Sequence, residues 1–319
     1  MIFKITFIIV FAFIIDSIIG DPPTWPHPVK LIGKLIAFLD KKLNHQKRIE
    51  GIYMLLLVLI LTGILSTLIL YLAYRLDFIF GLIIESIMVA TTISQKGLKD
   101  AAFAVYKPLG KNDLPAARQQ LSQIVGRDTA NLNEEEMTRA TIETVAENTT
   151  DGITAPIFWT AIAGGVGAIL YRAINTCDSM VGYRNAKYEN FGWASAKLDD
   201  LVNYLPARLS GILMLYAGKI EGREEEISFH RLKKEAKKHA SPNSAWTEAA
   251  TALLLDITLG GSNYYQGIKF HAEKIGQGKK PLEKIDILKS IDIMQRTNYL
   301  FSFIIILGVF LYDFAQTWF

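Results

Sequence analysis

Carboxylate and arginine side chains recur at helical spacing near the middle of this sequence, where they could bind a metal ion or a phosphate group. Arg139, Glu143 and Glu147 are each four residues apart, so they form one stripe along a helix. Glu143 and Glu147 would repel each other unless a cation or substrate lay between them. Mg²⁺ commonly takes one or two carboxylates and shares its other positions with water and phosphate. We therefore predict Mg²⁺ ligands at Glu143, Glu147 and Asp151; the alternative is an ordinary ion pair on a solvated helix.

A second set of charged and amide side chains lies beside or within apolar segments, where an unpaired charge is costly. It follows a first group at Arg127 and Asp128, and it comprises Arg172, Asn175, Asp178, Lys197, Asp199, Asp200, Asn203 and Arg208. We expect Arg172, Arg208 and Asn203 to face the protein interior. Their expected partners are Asp178 and either Asp199 or Asp200. Such a set either binds phosphate and a metal ion or consists of charges that pair with one another at the membrane interface.

Three other regions have both a chemical and a structural interpretation. Asp16 interrupts the first apolar segment, either as a functional carboxylate or as a cap at the membrane interface. His27 lies between two prolines, which hold the backbone extended, so it is either a reactive group or a turn residue. The segment from Ser241 to Ser244 indicates only that a helix begins there.

The elements that must position these side chains are apolar helices. Half of the 319 residues are hydrophobic, and the mean hydropathy is +0.24. Residues 1–20, 51–74 and 298–312 are almost continuously apolar, and two of these segments reach the roughly 20 residues that a helix needs to cross a bilayer. This composition excludes a disordered, collagen-like or disulfide-stapled protein, and the single cysteine, Cys177, excludes an intramolecular disulfide. A net charge of +3 is too balanced for a nucleic-acid-binding protein.

We predict an all-α, polytopic helical membrane protein with about five transmembrane helices, in a range of four to six, joined by polar helical loops. The apolar segments are 1–20, 51–75, 153–175, 201–219 and 298–316, and the stretch 78–93 is either a short span or a helix in the interface. The polar sections are 21–50, 94–152, 176–200 and 220–296, the last with a turn at Gly260-Gly261. Since no repeat or linker divides the chain, we expect one membrane-embedded domain over residues 1–319. The first helix ends without the small residues of a signal-peptide cleavage site, so we expect it to be retained.

Familiar nucleotide and hydrolase motifs are missing from the sequence. It contains no G-x-x-x-x-G-K-[ST] loop, no G-x-G-x-x-G turn after a strand, no H-E-x-x-H pair and no G-x-S-x-G elbow. Any nucleotide would therefore bind at an atypical site.

The polar motifs form an ordered series along nearly the whole chain. They are Gly20-Asp21-Pro22, His27-Pro28-Val29, Val125-Gly126-Arg127-Asp128-Thr129, Glu143-Thr144-Val145-Ala146-Glu147-Asn148 with Asp151-Gly152, Tyr171-Arg172-Ala173-Ile174-Asn175-Thr176 with Asp178-Ser179-Met180, Ala196-Lys197-Leu198-Asp199-Asp200, Pro206-Ala207-Arg208-Leu209 and Ser241-Pro242-Asn243-Ser244. Together they resemble the adenosylcobinamide-phosphate synthase family of cobalamin biosynthesis. Lys197 stands where that family often has arginine, which keeps the charge but loses a bidentate fork.

The resemblance implies an integral membrane enzyme that joins adenosylcobyric acid to (R)-1-amino-2-propanol or its O-phosphate through an amide bond. It implies ATP and, as a hypothesis, Mg²⁺, because a carboxylate must be activated before an amine attacks it in water. The implied partners are the corrinoid substrate, the amine, the lipid bilayer and possible other cobalamin-pathway proteins, with no nucleic acid.

The resemblance also suggests roles for single residues. The catalytic candidates are Glu147 and, as the base that deprotonates the incoming ammonium, His27 or Asp178. The candidates for binding substrate or phosphate are Arg127, Asp128, Arg172, Asn175, Lys197, Arg208 and Asn243. The Mg²⁺ candidates are again Glu143, Glu147 and Asp151.

Orientation follows from the basic section 21–50, which should lie in the cytoplasm. If 78–93 crosses the bilayer, 176–200 lies outside, opposite the other clusters; if it lies flat, sections 94–152 and 220–296 move outside. One site cannot straddle a bilayer, so we expect either that 153–200 re-enters the membrane or that a span is miscounted. We therefore expect a multi-pass protein of the cell membrane whose active site lies on the cytoplasmic face, where ATP is.

Two rival functions stay open at the level of sequence. A Mg²⁺-dependent membrane transferase of another class would also place Asp and Asn at helix ends, but it should show repeated D-x-x-x-D pairs. A transporter or sensor would be expected to contain paired internal repeats. The sequence contains neither feature.

Overall fold

A computed structural model describes residues 2–20, 22, 27–218, 228–265, 267–278 and 280–316. The motif residue Asp21, the proline before His27 and the start of the polar section 220–296 lie outside the described residues. The chain divides into two compact units. The first unit contains Met1–Ser94, Asp151–Asn203 and Ser302–Phe319, and the second contains Gln95–Thr150 and Tyr204–Phe301. A single domain over residues 1–319 stays a prediction.

Thirteen α-helices and one two-stranded hairpin make up the described part of the chain. In chain order they are α1 (Ile2–Ile18), α2 (Pro28–Leu43), α3 (Arg48–Leu76), α4 (Phe78–Ala90), α5 (Gln95–Gly110), α6 (Leu114–Leu121), α7 (Glu134–Thr149), a π-helical turn (Thr150–Thr154), α8 (Ala155–Val181), α9 (Trp193–Val202), α10 (Tyr204–Ala217), α11 (Phe229–Ala236), α12 (Ser244–Leu255), β1 (Leu259–Tyr265), β2 (Ile268–Ile275) and α13 (Ile285–Gln316).

In the first unit, α1, α3, α4 and α8 form the helical bundle. Helix α4 packs against the other three, and α2 and α9 pack against α3 and α8. A buried cluster including Met54, Val58, Cys177 and Phe191 fills the space between them. The burial of these apolar side chains fixes α8, which carries several of the polar residues singled out above.

Four helical stretches are long and apolar enough to cross a membrane, judged by length and composition. They are Arg48–Leu76, Phe78–Gly110, Glu134–Val181 and Ile285–Gln316. The prediction of a polytopic helical membrane protein is confirmed, and the stretch 78–93 falls within one of these candidate spans. Most large apolar side chains on α3, such as Leu61 and Leu65, are exposed, as expected for a surface that faces lipid.

The apolar segment 201–219 does not form one continuous helix. Helix α9 ends at Val202, Asn203 caps it, and α10 begins at Tyr204. The 14 residues of α10 rise only about 21 Å, which is short of a hydrocarbon core about 30 Å thick. Accordingly, α10 is not among the four candidate spans.

In the second unit, α7 and α12 lie at the centre. Helix α7 packs against α5, α6, α12 and β1, while α12 also packs against α10, α11 and β2. Asn133 and Glu136 form a capping box at the start of α7.

The hairpin is a correction to the prediction that the polar loops are helical. Strands β1 and β2 pair antiparallel, with Gly261 opposite Ala272. Gly260 and Gly261 have φ of 81° and 95°, and the strand register shifts beside them. The two glycines therefore form an irregularity within β1 instead of the expected turn, because glycine adopts positive φ without a steric penalty and such residues bend a strand.

Candidate functional site

A polar cavity of about 470 Å³ opens in the second unit. Helix α7 supplies Glu143 and Glu147, helix α12 supplies Glu248, and the loop after α11 supplies His239. The hairpin closes the cavity with further polar and aromatic side chains. Charged groups of both signs and aromatic rings thus line one space, which is large enough for a small charged ligand.

The Glu143 carboxylate forms the centre of a buried ion-pair network. Its Oε2 lies 2.7 Å from Arg127 Nη2, and its Oε1 lies 3.9 Å from Arg139 Nε. The backbone N–H of Gly260 donates to Oε1 at 2.8 Å. Arg139 and Glu143 thus form an ion pair, which was the alternative interpretation of this stripe, and two guanidinium groups compensate the buried charge of Glu143.

The same two arginines connect α7 to strand β1. Asn263 Oδ1 accepts from Arg127 Nη1 at 2.9 Å and from Arg139 Nη2 at 3.2 Å. Arg139 also donates to the carbonyl groups of Gly260 and Ser262. Asn263 was not singled out by the sequence analysis, because nothing in its neighbourhood distinguishes it from other strand residues. The contacts of Arg127 support a structural role, and its phosphate-binding role stays a prediction.

Asp128 anchors the hairpin from outside the cavity. Its Oδ2 accepts from the backbone N–H of Gly267 at 2.7 Å, and its own N–H donates to the carbonyl of Tyr264 at 2.8 Å. These contacts hold the chain reversal between β1 and β2 against the segment that precedes α7.

His239 and Glu248 face each other at the cavity, with His239 Nε2 3.6 Å from Glu248 Oε1. His239 Nδ1 lies 3.0 Å from the N–H of Ser241 and 3.4 Å from its carbonyl oxygen. In the tautomer that donates from Nδ1 to the Ser241 carbonyl, the lone pair is on Nε2, which faces Glu248 and the cavity. The segment from Ser241 to Ser244 begins α12 as predicted, and it also orients His239.

Burial shifts the pKa values of this pair in opposite directions. Desolvation lowers the pKa of His239 below its ordinary value of 6.5. Desolvation and then the charges of Glu143 and Glu147 raise the pKa of Glu248 well above 4.5. Near neutral pH the imidazole is therefore unprotonated and able to accept a proton. Neither residue was a sequence candidate, because they lie on different elements and belong to no recognised motif.

The first unit contains a separate cluster around the π-helical turn. Arg172 Nη1 donates to the carbonyl of Asp151 at 3.0 Å, and Asn175 Nδ2 lies 3.4 Å from Asp151 Oδ2. A π-helical turn interrupts the regular hydrogen-bond ladder, so carbonyl groups such as that of Asp151 are able to accept from other side chains. Predicted residues from α8 thus meet at Asp151.

Asp199 completes this cluster. Its Oδ1 accepts from Asn175 Nδ2 at 3.3 Å and its Oδ2 from Asn203 Nδ2 at 3.0 Å. Tyr171 donates its hydroxyl hydrogen to Asn203 Oδ1 at 2.9 Å. The predicted pairing of Asn203 with an aspartate is confirmed. Burial outweighs the two amide hydrogen bonds and raises the pKa of Asp199 to about 6.

Four other predicted site residues have local structural contacts. His27 caps α2, where its Nδ1 accepts from the N–H of Val29 at 3.3 Å. Lys197 forms an exposed ion pair with Asp200. The remaining two, Arg208 and Asn243, lie in the second unit and are 3.2 Å apart between Nη1 and Oδ1.

Arg208 has aromatic and carbonyl contacts in place of the expected aspartate. Its guanidinium lies 3.4 Å from the ring centroid of Tyr204 and 5.3 Å from that of Trp246, and its Nη1 donates to the carbonyl of Tyr204 at 2.7 Å. Asp178 is partly buried near the end of α8, and Asp16 is buried near the end of α1.

The three predicted Mg²⁺ ligands differ in their surroundings. Glu143 is engaged by Arg127 and Arg139, Glu147 is exposed at the cavity, and Asp151 belongs to the first unit. Across the described ranges, no group of three or more His, Cys, Asp or Glu side chains is arranged to hold a metal ion. The cavity offers Mg²⁺ the exposed carboxylate of Glu147, which suits an ion that takes most of its ligands from phosphate and water.

Comparison with known proteins gives a consistent set of relatives. A protein-family model described as CobD/Cbib protein matches residues 9–294. The cobalamin biosynthesis protein CobD of Halalkalibacterium halodurans is 49% identical over 309 residues, which cover 95% of this chain and 97% of that protein. The protein of the same name from Clostridium perfringens is 42% identical over 296 residues, covering 92% of this chain and 94% of the relative. No solved structure gives a significant match.

Proposed function

The chain belongs to the CobD/Cbib protein family, and on this premise we propose that it acts in cobalamin biosynthesis as an amide-forming synthase. The proposed reaction joins the amino group of (R)-1-amino-2-propanol, or of its O-phosphate, to a propionate carboxyl of adenosylcobyric acid. ATP drives the reaction, and the enzyme is an acid–amine ligase. The names of the relatives support the pathway, and the series of motifs from residue 20 to residue 244 supports the reaction.

The His239–Glu248 pair at the polar cavity carries the mechanistic part of the proposal. An amine enters as an ammonium ion and must lose a proton before its nitrogen attacks an acyl group. His239, neutral near pH 7 because burial lowers its pKa, accepts that proton. His27 and Asp178, the bases suggested by the sequence, belong to the first unit, whereas His239 lies at the cavity.

The cavity residues also suit an ammonium-bearing ligand. Glu147 and Glu248 line the cavity together with Glu273, and carboxylates stabilise a cation before its deprotonation. Lys238 lines the same cavity and offers a positive charge to a phosphate group. Its ammonium lies 2.7 Å from Glu235 Oε2, so a phosphate there would join an existing ion pair.

ATP and Mg²⁺ remain part of the proposal. ATP would convert the carboxylate into a phosphorylated acyl group with a good leaving group, and Mg²⁺ would neutralise phosphate charge. Glu147 is the residue of the cavity that would hold the ion. Arg172 and Asn175 of the first unit are the proposed contacts for a substrate anion in that unit, where they surround Asp151.

We place the active site on the cytoplasmic face of the cell membrane, where ATP is available. Labelling of Ser179→Cys in a Cys177→Ala background tests this orientation, because Ser179 is exposed near the end of α8. Labelling by a membrane-impermeant reagent from the cytoplasmic side is expected. Labelling only from the outside would contradict the orientation.

The test of the proposed reaction is amide formation by the purified full-length protein. The assay contains adenosylcobyric acid, Mg²⁺, ATP and either aminopropanol or its phosphate, and the product is identified by mass. Product that requires ATP supports the proposal. Folded protein that forms no amide with either amine would overturn it.

A further inference from the structure

A buried carboxylate lies in the helical bundle of the first unit, on helix α4. Glu85 is only 2% exposed and lies within the candidate span Phe78–Gly110. Its Oε2 accepts from the hydroxyl of Tyr74 at 2.6 Å and lies 3.0 Å from Lys4 Nζ. The Lys4 ammonium also lies 4.4 Å from the centroid of the Tyr74 ring. A charged residue within a membrane span is costly unless it is paired. Lys4 and Tyr74 are the partners that compensate the Glu85 carboxylate.

The second oxygen of Glu85 contacts a break in helix α8. Ala163 (φ −136°, ψ 23°) and Gly164 (φ 62°, ψ −157°) leave the helical conformation in the middle of α8. Such a break frees backbone N–H groups that have no water to bind in a membrane interior. The N–H of Gly165 donates to Glu85 Oε1 at 2.9 Å. Glu85 therefore caps the half of α8 that follows the break.

The two glycines leave room for this contact. A Cβ atom at Gly164 would lie 2.5 Å from Glu85 Oε1, and one at Gly165 would lie 2.9 Å from Glu85 Cγ. Gly164 also has positive φ, which other residues rarely adopt. The element that approaches these two small residues is α4.

The capped half-helix carries the polar residues of the first-unit cluster. Tyr171, Arg172 and Asn175 all follow the break, and they contact Asp151, Asp199 and Asn203. The direction of this half-helix decides where their side chains lie. We propose that Glu85, charge-balanced by Lys4 and hydrogen-bonded by Tyr74, is a positioning residue that holds the break in α8 and so places Arg172 and Asn175 at Asp151.

An ion pair that served only to neutralise two charges in the membrane would have different consequences. Such a pair would stabilise the bundle wherever Lys4 and Glu85 met, and its loss would leave the angle of α8 unchanged. The contact with Gly165 links the carboxylate to the broken backbone itself. The acceptor oxygen at position 85, more than its charge, is therefore expected to set the geometry.

The geometry is tested by a distance across the break in the full-length protein, reconstituted in lipid. In a Cys177→Ala background, spin labels at Ile162→Cys and Ser179→Cys, both exposed, lie on opposite sides of the break. Glu85→Leu removes the acceptor and is expected to shift or broaden the label distance. Ile83→Leu, an exposed position on the same helix, is the matched control and is expected to leave it unchanged. An unchanged distance in folded Glu85→Leu would overturn the proposal.

A double variant keeps the test decisive if Glu85→Leu does not fold. Lys4→Met with Glu85→Gln removes both charges but retains an oxygen acceptor for Gly165. The label distance of the parent protein is expected, and a shifted distance in this variant would contradict the capping role.

A kinetic measurement then connects the geometry of α8 to the proposed function. Of the measurements described, only this one rests on the proposed function. Glu85→Leu is expected to lower kcat/KM of amide formation by tenfold to about a hundredfold, because small misplacements of binding groups have effects of that order. The double variant is expected to restore most of this loss. If the parent protein forms no amide, the proposed function fails while the label distance still decides the role of Glu85.

Discussion

His239 Nε2 lies 3.6 Å from Glu248 Oε1 at the polar cavity of the second unit. The N–H of Ser241 contacts the other ring nitrogen of His239 and so orients the imidazole. A polar pair oriented in this way at a cavity is a candidate for proton transfer, and burial shifts the pKa values of its two members in opposite directions.

The first prediction concerns the pH dependence of kcat/KM. Burial lowers the pKa of His239 from 6.5, so the ring is neutral above that pH and becomes protonated only below it. The activity should therefore be constant near neutral pH and should fall on an acid limb whose midpoint lies below 6.5. A pH profile of kcat/KM for the wild type and for His239→Asn measures this. An identical acid limb and rate in the variant would exclude His239 as the base.

The second prediction concerns the ion-pair network at Glu143. Glu143→Gln leaves Arg127 and Arg139 in a buried site without the carboxylate between them. We expect a loss of about 3 to 5 kcal/mol in the free energy of unfolding, as for other broken buried pairs. Thermal unfolding in detergent compares this variant with Glu147→Gln, an exposed position on the same helix that is expected to change stability by no more than about 0.5 kcal/mol. Equal stability of the two variants would contradict the structural role of Glu143.

The third prediction concerns Gly261 in strand β1. Its φ of 95° is unfavourable for other residues, and a Cβ atom there would lie 2.7 Å from Arg139 Nη1. Gly261→Ala should reduce stability by about 1 to 3 kcal/mol. Gly126→Ala is the control, because a Cβ atom at that position has no neighbour within 4 Å. Similar melting temperatures for the two variants would show that the irregular strand conformation is not needed.

The fourth prediction concerns Asp199. The fold raises its pKa from 3.8 to about 6, so the folded state binds its proton more tightly than the unfolded state does. The stabilisation from this group is present below pH 3.8 and is lost as the pH rises through 6. Asp199→Asn, which has no proton to lose, should gain stability relative to the wild type between pH 4.5 and pH 8.

The melting temperatures of Asp199→Asn and of the wild type, each measured at pH 4.5 and at pH 8, test this gain in stability. If the difference in melting temperature between Asp199→Asn and the wild type is the same at both pH values, the Asp199 carboxyl does not titrate between pH 4.5 and pH 8.

Local patterns in the sequence were sufficient to predict several features. The four-residue spacing of Arg139 and Glu143 indicated one helix face, the position of Asn203 beside apolar segments predicted an aspartate partner, and the apolar blocks predicted the membrane-spanning character. Each of these depends on neighbours within one helix or on the hydrophobicity of one segment. Such short-range interactions are visible in sequence.

Features that depend on long-range contacts were not predictable in the same way. For the hairpin, the sequence predicts a helical region with a turn, because two consecutive glycines suggest a chain reversal, whereas the strand has an irregularity there. His239 and Glu248 come together through the packing of α11 and α12, and no spacing rule connects them. Glu85 meets Gly165 across 80 residues of sequence. These pairings are set by the tertiary fold, so single residues gave no signal of them.

The most direct test of the central claim is the ATP-dependent condensation of adenosylcobyric acid with aminopropanol or its phosphate, measured for the wild type and for His239→Asn at pH 7.5. The account predicts an amide product from the wild type and a kcat lower by about a hundredfold or more in the variant, with similar melting temperatures. No amide from folded wild-type protein, or undiminished turnover by His239→Asn, would contradict it.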